Sequence, residues 1–131
     1  MEPKSWDEIV LALEARDVET AVAAAARLHA EANLDDVPNL LGLLKDGCDF
    51  FVREAAAWPL AELAGPTVIR ELFTAYQRGF DEGHDNDGFT VALLEIPALH
   101  PAEIKPTLER MASSEAVPMR ELAKWLLEFC N

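Results

Sequence analysis

The sequence predicts an all-α fold, an α-solenoid of about four antiparallel helix hairpins in a single domain spanning residues 1–131. Three observations carry this expectation. Apolar residues recur at intervals of three and four along nearly the whole chain. No run alternates apolar and polar residues with β-branched enrichment, so strands find no support. One helical segment also returns further along the chain: Arg53, Glu54, Ala56, Trp58 and Leu60 are matched by Arg120, Glu121, Ala123, Trp125 and Leu127, 67 residues later.

Eight helices follow in order, expected at 5–15, 18–32, 35–46, 49–64, 67–79, 88–99, 102–113 and 117–129. The first begins where Ser5 and Glu8 have capping-box spacing and carries Ile9 and Leu13 inward. Asp17 caps the second, whose apolar stripe is Ala21, Val22, Ala25, Leu28 and Ala32. Leu40, Leu41 and Leu44 mark the third, and Val52, Ala56, Leu60 and Leu63 the fourth. Gly65-Pro66 ends the fourth and admits the fifth, while Pro101 and Pro118 fall near the starts of the seventh and eighth. The links are short except 80–87, and short links between amphipathic helices favour antiparallel neighbours. Trp58-Pro59-Leu60 is echoed by Ile96-Pro97-Ala98, 38 residues on, which predicts two kinks at matching places.

The formal charge of −13 is spread along most of the chain. Acids outnumber bases 7 to 3 in residues 1–33, 6 to 2 in 34–65 and again in 66–101, but only 5 to 4 in 102–131. Such a field repels phosphate backbones and anionic lipid, so neither nucleic acid nor membrane is expected as a partner, whereas a basic protein surface is attracted. No stretch approaches the roughly 20 apolar residues of a membrane span. The start lacks the pattern of a signal peptide, and Cys48 and Cys130 read as reduced thiols, so a cytoplasmic location is expected.

The polar segment Gln77–Phe89 contains Asp81, Glu82, Asp85 and Asp87. A calcium loop with Gly88 at its sixth position would place Gly83 at the first and Leu94 at the twelfth, and neither can ligate through a side chain. Its glycines and Asn86 suit a reversal, Asp87 suits a helix cap, and its carboxylates suit a partner contact. His29, His84 and His100 lie on separate elements without a second ligand at metal spacing, so no metal, cofactor or proton-transfer centre is expected. No nucleophile elbow, phosphate loop or Cys–His pairing supports an enzyme.

The stretch Leu40–Gly65, LLGLLKDGCDFFVREAAAWPLAELAG, resembles a HEAT repeat. The second helix of short bacterial forms runs Asp-x-x-Val-Arg-x-x-Ala-Ala-x-x-Leu-x-x-Leu-Gly. Asp49, Val52, Arg53, Ala56, Ala57, Leu60, Leu63 and Gly65 occupy or neighbour those positions, and Arg120, Leu122, Ala123, Leu126 and Leu127 give a weaker echo. Pro59 and Pro97 depart from the pattern.

The resemblance implies a concave face built from second helices, with Arg53 bonded to neighbouring turns and carboxylates such as Asp49. Trp58 falls at the edge of its helix's core stripe. There it either packs between repeats or, ringed by acids, forms a hot spot for a protein. The expected partner-binding residues are Trp58, Glu54, Glu62, Asp81, Glu82, Asp85 and Asp87.

The expected function is non-enzymatic: an acidic scaffold or inhibitor of a basic protein, of which an immunity protein neutralising a bacterial toxin is one form. A phycobilin-lyase-like protein acting on a chromophore or phycobiliprotein is the alternative that the resemblance implies. Trp125, Leu126, Leu127 and Phe129 near the C-terminus either pair two copies in a weak homodimer or fold back in a monomer.

Overall fold

The structure, a computed structural model, describes residues 1–47 and 49–130. Cys48, expected as a reduced thiol, lies outside the described residues. The fold is all-α: α1 Pro3–Leu13, α2 Val18–Glu31, α3 Val37–Asp46, α4 Phe50–Leu63, α5 Ile69–Asp81, α6 Asp87–Leu99, α7 Pro101–Ser114 and α8 Met119–Leu127. Short 3-10 turns at Leu34–Asp36 and Gly65–Val68 lead into α3 and α5. Among the described residues no helix is long and apolar enough to cross a membrane.

The caps explain several boundaries. Asp17 accepts the backbone N–H of Thr20 at 3.2 Å and its hydroxyl at 2.5 Å, starting α2 as expected. Asp49 accepts the N–H of Phe51 at 2.8 Å and starts α4. The capping box expected at Ser5 and Glu8 does not form. Pro3, with its φ already helical, opens α1 two residues earlier, and Glu8 turns to Arg27 on α2. Asn33 supplies a capping box instead: its side chain accepts from Asp35, and the buried Asp36 carboxylate accepts the Asn33 N–H at 2.9 Å.

α4 is the axis of the core. Eight of its residues are buried, and alanines at 55, 56, 57 and 61 let neighbours approach on more than one side. α3 packs on it as its hairpin partner, and α2 and α6 flank it. α7 and α8 pair closely, as do α1 and α2, while α5 lies against α3 and α8.

α2, α4 and α6 share one register. His29 on α2 meets Glu62 on α4, 33 residues away. Ala25, Trp58 and Val91, at the same interval, line one cleft. Glu62 in turn meets Glu95 on α6, again 33 residues on. A constant offset at successive levels means that α2, α4 and α6 run parallel. This register corrects the expected pairing of Pro59 with Pro97. Pro59 falls level with Ala92, and Pro97 lies more than a turn beyond, so the kinks are not in step.

The link 80–87 was also expected to be the one long hinge. The helices claim both ends of it, leaving residues 82–86. Gly79 does not end α5, because a side chain there would strike Asn86, whose amide packs on the bare Cα. The chain reverses at Gly83, with φ +79°. The N–H of Gly83 bonds the carbonyl of Phe80 and that of His84 the carbonyl of Gly79, which is a Schellman closure.

Candidate functional site

The parallel second helices leave a shallow cleft of about 270 Å³ on their outer face. Its floor is made of small residues, Ala25 on α2, Ala55 on α4, and Gly88 and Ala92 on α6. Phe51, Trp58 and Val91 form its walls. Among the residues lining it Glu54 alone is charged, and none is basic. Trp58 is 37% exposed and Val91 60% exposed, so the walls stand in water.

Trp58 owes its position to His29. The two rings stack with centroids 3.6 Å apart and planes 11° from parallel. His29 Nε2 hydrogen-bonds the Glu62 carboxylate one turn along α4. Glu62 is also held through its backbone, because His100 Nε2–H donates to the Glu62 carbonyl at 2.9 Å. That contact depends on Gly65, where φ is +35° and a Cβ would lie 2.7 Å from the His100 ring. Glu95 stands beside Glu62, and its Oε2 is buried with no hydrogen-bond partner. Burial, and then the charge of Glu62, push the Glu95 carboxyl above the usual range, while His29 opposes them.

Glu54 reaches from α4 to the first turn of α6, beside the Phe89 N–H. Asp87, expected as the cap, is instead the first residue of α6. Gly88 makes room, since a Cβ there would stand 2.8 Å from the Glu54 carboxyl. Burial raises the Glu54 pKa, the Phe89 N–H opposes the rise, and the charges of Asp85 and Asp87 add to it. Asp85 is tied down as well, accepting the N–H of Asp87 at 2.9 Å.

The remaining acids of the turn lie elsewhere. Glu82 turns toward the start of α4 and pairs with Arg53, which is 1% exposed and also donates to the Gly47 carbonyl at 3.1 Å. The carboxylate partner of Arg53 is therefore Glu82 and not the expected Asp49, whose oxygen is taken by the helix cap. Arg78 bonds Glu82 at 2.9 Å and the Lys45 carbonyl at 3.3 Å, and His84 stacks on Phe50 at 4.4 Å. Hydrogen bonds from Arg78 and then Arg53 hold the Glu82 carboxyl below its usual range. Asp81, exposed, accepts from Gln77 at 3.0 Å. Among the described residues no three His, Cys, Asp or Glu side chains converge as a metal ligand set.

Of the expected contact residues, the fold thus places Trp58 and Glu54 in the cleft, Glu62 one turn beyond Trp58 on His29, and Asp85 and Asp87 beside Glu54. Glu82 and Asp81 face away from the cleft. Phe51 and Val91 line the cleft without having been singled out in the sequence, and His29, weighed there only as a metal or proton-transfer residue, stacks on Trp58 beside it. The 33-residue interval joining His29, Glu62 and Glu95 was the available signal, obscured by the louder 67-residue echo. A second cleft, about 330 Å³, lies between α3 and α5 and is lined by Lys45, Arg70 and Arg78, so part of the chain's few cations sit away from the α2/α4/α6 face. No family model, curated protein or solved structure matches this chain.

Proposed function

We propose that this chain is a non-enzymatic protein-binding module, a HEAT-like solenoid of stacked helix hairpins that receives a basic protein partner on its α2/α4/α6 face. The observation that carries the reading is Trp58, held partly in water by the His29 stack above a cleft lined by Glu54, with Glu62 one turn beyond Trp58. A large aromatic fixed in place before binding pays little ordering entropy when a partner covers it, and Trp is the residue that most often dominates interface energies. The −13 charge supplies long-range attraction for a basic surface and speeds encounter. Inhibition of a basic enzyme, as by an immunity protein acting on a toxin in the same cytoplasm, is the most specific form of this reading.

The test uses the full chain as immobilised bait in lysate of its own source at low and high salt. The expected result is retention of a basic protein, weakened about tenfold or more between 50 and 200 mM salt if several ion pairs form. Binding to wild type and Trp58→Ala alike, or an affinity indifferent to salt, would count against the proposal.

A further inference from the structure

The cleft restricts what part of a partner can enter it. Glu54 and Trp58 line it, and just beyond Trp58 stands the Glu62–Glu95 pair, two turns of α4 from Glu54, or about 12 Å at 1.5 Å per residue. An extended chain covers that distance in about four residues, and alternate side chains of such a chain point the same way. A volume of about 270 Å³ holds one large side chain with its neighbours and not the cylinder of a helix, whose diameter with side chains is about 10 Å.

Both ends carry surplus negative charge. At one, the partly exposed Glu62 carboxylate and its neighbour Glu95 share the single imidazole of His29. At the other, Glu54 stands close to Asp85 and Asp87, and no basic side chain lines the cleft. We propose that the occupant is an extended basic–x–apolar–x–basic segment of the protein partner. Its apolar side chain rests on Ala55 and Ala92 against Trp58, and its two cations reach the Glu54 end and the Glu62–Glu95 end. The inference rests on the binding face proposed above and names what that face selects.

The probe is a fluorescein-labelled peptide, GSRSLSRSG, measured by anisotropy against the full chain beside a permuted peptide of identical composition, GSRRSSLSG. Saturable binding of the first peptide at least about fivefold tighter than the second is expected, because only its spacing satisfies both ends at once. Trp58→Ala, checked for an unchanged circular dichroism spectrum, is expected to weaken the first peptide about fivefold or more and to erase the preference. Glu62→Gln, which keeps a hydrogen-bonding side chain beside His29, serves if Trp58→Ala does not fold. It is expected to lower affinity for the first peptide about threefold and to flatten its salt dependence. Equal affinity for the two peptides, or saturable binding of neither, overturns the inference. If the lysate bait then still retains a basic protein in a Trp58-dependent way, only the extended segment is lost; if that retention is absent too, the binding face falls with it.

Discussion

Arg53, Glu54 and Trp58 on α4 have counterparts at matching positions on α8, in Arg120, Glu121 and Trp125, yet each pair divides in its surroundings. On α4 the arginine is buried against Glu82 and the Gly47 carbonyl, while the tryptophan stands partly in water on His29. On α8 the order is reversed. Arg120 reaches only its neighbour Glu121, at 3.4 Å, while Trp125 stacks on Tyr76 at 5.7 Å and takes Phe129 edge-on at 5.8 Å. The cause lies in what packs against each helix. α4 has α2, α3, α5 and α6 around it, and the turn after α5 closes over its first residues. α8 packs on α7, α5 and α6. An identical local pattern therefore fixes a helix and its inward stripe, and the neighbours decide which of its large side chains remain available.

The arginines give the sharpest way to break this comparison. Arg53→Ala removes a fully buried side chain with its bonds to Glu82 and the Gly47 carbonyl and opens the packing under the α5–α6 turn, a loss of about 2–4 kcal/mol. Arg120→Ala removes one partly exposed contact and should change stability by no more than about 0.5 kcal/mol. Urea denaturation of both variants checks this, and equal midpoints would show that the buried setting of Arg53 has no energetic meaning.

The tryptophans come next and pull in opposite directions by two measurements. Trp125→Ala opens a gap between Tyr76 and Phe129 beside the buried Leu126, with an expected cost of about 2–3 kcal/mol. Trp58→Ala gives up mainly the His29 stack and should cost about 1 kcal/mol. Partner binding should invert the ranking, because Trp58 lines the cleft and Trp125 does not. Thermal unfolding and the lysate bait, applied to the same two proteins, read both halves. The Trp125 stack also shows that much of the C-terminal apolar cluster folds back on the chain, with Phe129 still half exposed.

A smaller effect separates the acids of the turn. Changing Asp81, Asp85 and Asp87 together to Asn leaves Glu82 on Arg53 and the Schellman closure at Gly83 intact, so the unfolding midpoint should hold while basic-partner binding weakens severalfold at low salt. Binding that survives this triple change unaltered would mark those three residues as turn formers alone.

What the sequence made legible follows the same division between local and distant causes. Helix positions rest on spacing and caps within a few residues, so all eight appear, with Asp17 and Asp49 at their expected boundaries. Arg53 was recognisable as structural, but its partner Glu82 is 29 residues away, across a turn whose path depends on Asn86 seating over Gly79. Trp58 could be placed at the edge of its stripe from periodicity, whereas His29 and Glu95 reach it only through the parallel register of three helices. That register is a packing property. It surfaces in the chain as a 33-residue interval that only the parallel run of α2, α4 and α6 makes meaningful.

The glutamates at matching positions carry the smallest difference, and pH reveals it. Glu54 has a raised pKa because burial disfavours its charge and Asp85 and Asp87 repel it, with the Phe89 N–H only partly compensating. A carboxyl whose folded pKa lies above its unfolded value binds its proton more tightly when folded, so its charge penalises the fold at neutral pH. That penalty fades as pH falls through the folded pKa and is gone below the unfolded one. Glu54→Gln keeps an oxygen that can accept from Phe89 and removes the charge. It should raise Tm at pH 7 by about 1–2 °C, since water screens a half-exposed group, and give no gain at pH 3.5. Glu121→Gln should do neither, because Glu121 stands in solvent between Arg120 and Lys124 and gives up only weak surface pairs. Melting curves of the two variants at both pH values compare them directly. A gain for Glu54→Gln that persists unchanged at pH 3.5 would place its origin in packing rather than in the charge crowded against Asp85 and Asp87.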